Sequence, residues 1–256
     1  MMRWALGVEY DGTHFCGWQQ QPGLKTVQGE LESALSNVAD DTIELICGGR
    51  TDAGVHAAGQ VVHFDTPVRR SARAWALGAN AHLSRQLSVS WAVPVPDFFH
   101  ARFSAQRRHY RYTFFNRATR SALHAATSTW VAMPLNVEAM QAGAQHLIGE
   151  HDFSAFRAAE CQSRSPIRRV DSLVVRREGP LVYFDIAANA FLHHMVRNIA
   201  GLLIEVGRGE RSPEAVKTLL EGRDRRVNAP TAAAEGLALR HIEYPAAFRL
   251  PDPVYS

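Results

Sequence analysis

Lysine is nearly missing from this 256-residue chain: of 28 basic residues only Lys25 and Lys217 are lysine, and the rest are arginine. Cysteine is scarce as well. Cys16, Cys47 and Cys161 are isolated, odd in number and free of any CxxC pairing, which argues against a disulfide framework and against a zinc site. The 12 histidines are scattered, and "FLHHM" lacks HExxH spacing. His193 and His194 are adjacent on an expected helix, where neighbouring side chains point apart and chelate poorly. No metal is expected. No apolar run is long enough to span a bilayer. The first residues reach Glu9 and Asp11 too soon for a signal-peptide core, so a cytoplasmic protein with no membrane role is expected.

What the chain does contain is ordinary in amount: 46% hydrophobic and 21% charged residues, enough for one large or two ordinary domains. The arginines cluster, at Arg69, Arg70 and Arg73, at Arg107, Arg108 and Arg111, at Arg164, Arg168 and Arg169, and at Arg223, Arg225 and Arg226. A planar guanidinium suits phosphate and stacks on bases, which reads as a nucleic-acid surface. A GC-rich genome would enrich Arg and Ala together with the same result. Composition leaves both readings open.

Hydrophobic periodicity organises the chain. Strands are expected at 3–9, 43–47, 59–65 and 88–94, the last ended by Pro94 and Pro96. Helices are expected at 27–38 and from Ser71, a suitable N-cap. The second half repeats this order: strand 109–115, helix 137–148, a hairpin of 167–176 and 180–187, helix 192–207 and strand 236–243. On that last helix Met195, Ile199 and Leu202 share a face from which Arg197 turns away. Each half is thus β-α-β-β-α-β, the ferredoxin-like unit. The expected architecture is α+β, two tandem ferredoxin-like halves in a continuous mixed or antiparallel sheet, with domains 1–104 and 105–256. Segments 116–135 and 155–166 fit no element and read as functional or interface loops.

"CGGRTDAGVHAAGQVVHF", Cys47 to Phe64, is the unusual stretch. Gly48 and Gly49 allow special backbone angles and close approach. Asp52 sits in a loop between strands, where a carboxylate can be aimed into a cleft. Arg50 could pair with Asp52, or reach out to a phosphate or into a stacked helix. Taken alone, the stretch reads equally as a turn in which Asp52 bonds its own backbone.

The rest of the chain changes that balance. The segment resembles the active-site block of the tRNA pseudouridine synthase A family. "YDGTHFCGWQQQPGLKTVQGELESAL", "FSAQRRHYRYTFFN", "HDFSAFRAAECQSRSP", "FLHHMVRNIAGLLIEVGRG" and "APTAAAEGLAL" resemble that family's other blocks in the same order. The resemblance implies the pseudouridine synthase fold. It also implies isomerisation of uridine to pseudouridine at positions 38, 39 and 40 of the tRNA anticodon stem-loop, without a cofactor. By residue, Asp52 matches the catalytic aspartate, which would act on the base, on the sugar or through a glycal. Tyr110 matches the active-site tyrosine, for stacking on uracil or moving the C5 proton. Arg197 matches the basic residue paired with the aspartate, and Leu237 an apolar residue beside the uracil pocket. Arg50 fits the residue that fills the gap when the target base is flipped out. The implied partners are tRNA and a second copy of the chain, as a homodimer.

Two other readings remain to be set against this one. A non-catalytic RNA-binding protein on ferredoxin-like domains would use "RYTFF" as a stacking platform, but it lacks the RNP1 pattern and leaves the Gly-Gly-Arg-Thr-Asp loop idle. A carboxylate hydrolase would need a second acid, and Asp65 and Glu30 have no matching context.

Overall fold

The computed structural model describes residues 1–251. Among them the chain runs through β1 (Met2–Tyr10), α1 (Val27–Ala39), β2 (Ile46–Cys47), β3 (His56–Thr66), α2 (Ala72–His82), β4 (Leu87–Val95), β5 (Arg107–Asn116) and β6 (Thr129–Val131). It continues through α3 (Val137–Gln145), β7 (Gly149–Asp152), β8 (Ile167–Glu178), β9 (Leu181–Ala188), α4 (Met195–Gly207), α5 (Glu214–Gly222) and β10 (Leu237–Glu243). The class is α+β with mixed strand pairing. Two compact units form, Met1–Arg108 together with the chain from Ala238 on, and His109–Leu237. Strand β10 therefore sits in the first unit, whereas the sequence reading counted it with the second half.

In the first unit the strands lie in the order β4-β1-β3, and β2 and β10 both pair with β3. The pairs β1–β3, β1–β4 and β2–β3 are antiparallel; β10 runs parallel to β3 through Ala238↔His56 and Leu239↔Ala57. Helix α1 begins where the Thr26 side chain accepts the Gly29 N–H, and α2 where Ser71, the cap read from sequence, accepts that of Ala74. Strand β1 is buried without a break from Trp4 to Val8. Both its faces are covered, which turns the expected alternation into a continuous apolar run. Trp4 meets Trp75 of α2 at 6.2 Å on one face, and Ala5 joins Val61, Val95, Phe99 and Ala101 on the other. Trp75 is fully buried and also packs edge-on to Phe64; truncating it to Ala removes about 3–5 kcal/mol.

Two boundaries differ from the sequence reading. Only Ile46–Cys47 of 43–47 pairs as strand. Pro94 lies inside β4 opposite Trp4 instead of ending it; β4 has no second neighbour in the sheet order, and an edge strand is where a proline is tolerated.

The second unit aligns β5-β9-β8-β7, with β6 parallel beside β5. Tyr110, Tyr112 and Phe114 alternate inward along β5, and Val182, Phe184 and Ile186 do so along β9. The β8–β9 hairpin closes through Gly179 at φ 57 and Pro180, a two-residue loop whose positive φ suits glycine. Helix α4 is buried on nearly every side, and Arg197 is one of its few half-exposed residues. Segment 116–135, read as loop, contains β6; 149–152 contains β7; and α5 buries Val216, Leu219 and Leu220. No helix among the described residues is long and apolar enough to cross a membrane.

Candidate active site

The loop between β2 and β3 is held from both sides. Cys47 pairs with Val62, and the ladder ends where Gly48 N–H donates to Val61 O at 2.8 Å. The side-chain amide of Gln60, wholly buried, then takes over: Gly49 N–H donates to its Oε1 at 3.2 Å and its Nε2 donates to Gly49 O at 2.5 Å. Arg108, also buried, donates Nε and Nη2 to Gly48 O at 3.2 and 2.9 Å. Next, Thr51 is turned inward, its hydroxyl 2.8 Å from Tyr10 Oη and its carbonyl accepting Trp18 N–H at 3.0 Å. A turn follows in which Val55 N–H donates to Asp52 O at 3.1 Å, and Gly54 adopts φ 79, a left-handed value that favours glycine. His56 opens β3 and accepts Gly12 N–H on Nδ1 at 3.0 Å.

Bonding Thr51 inward turns its two neighbours outward. Arg50 is exposed and Asp52 half-buried, both carried on backbone with little freedom to move. No ion pair joins Arg50 to Asp52 among the described residues; the Arg50 cation instead lies near enough to Cys47 to act on it. Burial dominates there and pushes the Cys47 thiol up to about 12, so it stays protonated and inert. The turn anticipated from sequence is present, closed through the Asp52 carbonyl. Gly48 allows the close approach expected of it: a Cβ there would lie 2.6 Å from both Ile242 Cδ1 and Tyr244 Oη, and 3.2 Å from the Ala101 carbonyl oxygen.

In the second unit Arg197 is tied to the segment 229–237 that leads to Leu237, and β5 is bonded to the same segment through Tyr112 and Thr113. Arg197 donates Nε to Ala232 O at 2.8 Å, and Ala232 N–H donates back to Arg197 O at 3.1 Å. The segment leads through Gly236, whose carbonyl accepts Thr113 N–H at 2.8 Å, to buried Leu237 at the head of β10. Tyr110, nearly buried, meets the edge of Phe191 at 5.0 Å and 82°. Its neighbour on the same face separates cleanly from it. The Tyr112 hydroxyl donates to Ala233 O at 2.7 Å, lies 2.6 Å from Thr129 Oγ1, and burial holds its phenol well above the ordinary range. Tyr112 is thus a clamp on the 229–237 segment.

Several residues that build these two loops went unread in the sequence. Asn198, wholly buried beside Arg197, donates to Phe156 O at 2.7 Å and accepts from Thr231 Oγ1 at 2.7 Å and Arg225 Nη2 at 3.0 Å. It joins the "HDFSAF" and "APT" blocks to α4. The available signal was a polar residue amid apolar neighbours: Gln60 before "VVHF", and Asn198 before "IAGLL". His193 and His194 are also corrected. They precede α4 rather than lying on it, His194 sits at φ 61, and their rings lie close, tilted at 40° with centroids 4.0 Å apart, instead of diverging.

The first unit thus carries exposed Arg50 and half-buried Asp52 on one loop, and the second holds Tyr110 against Phe191 and Arg197 against Ala232. Comparisons with known proteins identify the family. The family model described as tRNA pseudouridine synthase matches residues 7–104 and 144–245. A protein of Vibrio cholerae serotype O1 named tRNA pseudouridine synthase A is 55% identical over 251 residues, covering 98% of this chain and 95% of its own. Proteins of the same name from Methylococcus capsulatus and Alcanivorax borkumensis are 56% and 52% identical, with coverage of 100% and 98% of this chain and 94% and 95% of theirs. The chain belongs to the tRNA pseudouridine synthase family.

Proposed function

We propose that this chain isomerises uridine to pseudouridine in tRNA, at positions 38, 39 and 40 of the anticodon stem-loop, as a cytoplasmic homodimer without a cofactor. The reaction breaks the C1′–N1 bond and forms C1′–C5; the proton leaves C5, N1 gains one, and no redox change occurs. Asp52 is the group that attacks or assists, carried by a loop that cannot drift. Tyr110 offers a ring to stack on uracil and a hydroxyl to handle the C5 proton. Arg197 supplies the positive charge, and Leu237 the apolar wall. A uridine in a stem must leave the stack first, at a cost of a few kcal/mol, and Arg50 fills the space it vacates.

The observation that carries the reading is the inward bonding of Gly49 and Thr51, which presents Arg50 and Asp52 outward from a rigid backbone. A protein that only bound RNA would have no use for that. Incubation with unmodified tRNA, followed by mapping of pseudouridine along the anticodon arm, tests it. Conversion at one or more of the three positions is expected; none at any of them would return the chain to the non-catalytic reading.

A further inference from the structure

Outside the residues so far given roles, the turn 99–104 of the first unit is built to a standard its exposure does not explain. Phe99 is wholly buried against Tyr244 and Phe248, at 5.2 and 5.0 Å. Ala101 is wholly buried too, its N–H donating to His63 Nδ1 at 3.1 Å and its carbonyl accepting from Tyr244 Oη at 2.6 Å. Ser104 closes the turn in both directions, its Oγ accepting His100 N–H at 3.0 Å and its N–H donating to His100 O at 2.8 Å. On this frame the alternate residues point out. Phe103 is 75% exposed, backed by the His100 ring at 4.3 Å and 31° and with the Arg102 guanidinium 5.4 Å from its centroid.

A single exposed ring is ordinary on a protein surface, but one held in place by its own turn, with a cation against it, is a ready stacking face. Its surroundings say for what. Among the described residues neither Arg102 nor Arg50 has a carboxylate partner, and both cations act on the same Cys47. One Arg108 Nη2 donates to Arg102 O at 2.7 Å and to Gly48 O at 2.9 Å, so a single buried guanidinium fixes the turn's distance from the Arg50–Asp52 loop. An isolated aromatic face beside unpaired cations matches a nucleobase and its phosphate. It suits a second copy of the chain poorly, since that copy would present the same positive charges.

We propose that the 100–103 turn is a nucleobase platform for the substrate tRNA. Phe103 stacks on a base of the anticodon arm other than the target uridine, and Arg102 contacts the phosphate beside it. Arg108 sets the spacing between this contact and the catalytic loop. The inference rests on the reading of the chain as a tRNA isomerase and goes beyond it.

Phe103→Ala, Phe103→Trp and Arg102→Ala test it, with the affinity of unmodified tRNA and pseudouridine formation measured on each. Phe103→Ala is expected to weaken tRNA binding roughly 5- to 150-fold with kcat at saturation retained. Phe103→Trp is expected to restore affinity, and its emission, taken as the difference from the chain's five native tryptophans, to be quenched when tRNA is added. Arg102→Ala is expected to reduce the slope of log affinity against log salt by about 1. Wild-type affinity in Phe103→Ala, an unquenched Phe103→Trp, or a Phe103→Ala variant altered only in oligomeric state would overturn the platform. Failure of the wild-type chain to form pseudouridine would instead strike the enzymatic reading, so the two outcomes are separable.

Discussion

The arginines divide by what holds them. Arg108 is spent on backbone carbonyls, Arg111 forks onto Asp185 at 2.6 and 3.1 Å beneath Tyr183, and Arg225 ties Asn198, Thr231 and Ala229 together. These serve the fold, whichever way the genome biased them. Arg50 and Arg102, by contrast, have no carboxylate partner among the described residues, which is what the proposed RNA contacts require. Composition could not make that distinction because it depends on partners distant in sequence, such as Arg111 with Asp185. His63 shows the same dependence in its titration. Burial first, then Arg3 and His100, push its imidazole down to about 4 against a weaker opposite pull from Asp65. In the unfolded chain the ring titrates near 6.5. Between those values the unfolded chain binds more protons, so His63's contribution to stability is full above 6.5 and is lost as pH falls towards 4. Urea unfolding at pH 7 and pH 5 checks this. His63→Asn, which keeps an acceptor for Ala101 N–H, is expected to lose less of its midpoint between the two than the wild type. Equal losses would contradict the assignment.

Among the elements, the β2–β3 loop owes its rigidity to a side chain from the strand it leads into. Gln60 of β3 satisfies both backbone groups of Gly49, the residue before Arg50, in the absence of a third strand to do so. Gln60→Leu leaves those groups unpaired and frees the loop. Stability is expected to fall by about 1–3 kcal/mol, and kcat by on the order of a hundredfold with KM little changed, since a loop misplacement of about 1 Å suffices for that. Steady-state kinetics with a thermal melt read both; an unchanged kcat in a correctly folded variant would deny Gln60 its positioning role. The elements that were legible in sequence were those with long apolar periodicity or a plain cap: α1 from Thr26, α2 from Ser71, and α4. Those that were not are short. β6 and β7 have three and four residues, and α5 has one brief stripe of Val216, Leu219 and Leu220. Strand β2 shrank because a local apolar run says nothing of how far its partner extends.

Over the whole chain, the ferredoxin-like order was readable because each half of the sequence repeats the same alternation of periods; the pairing of β10 with β3 was not, because it joins residues 238 and 56. The candidate chemistry-bearing residues were singled out only by family resemblance: Asp52 and Arg50 in isolation are a turn Asp and a surface Arg. The supports of their loop were invisible, since Gln60, Arg108 and Tyr10 act through contacts no local pattern records. The close approach that Gly48 allows was legible, but not that its neighbours are Ile242 and Tyr244. On the proposed function, the β2–β3 loop presents one reacting carboxylate. Asp52→Asn tests this, with pseudouridine formation and tRNA affinity measured on the same preparation. The account predicts a loss of turnover of at least about a thousandfold with affinity nearly unchanged; wild-type-like turnover in that variant would contradict it.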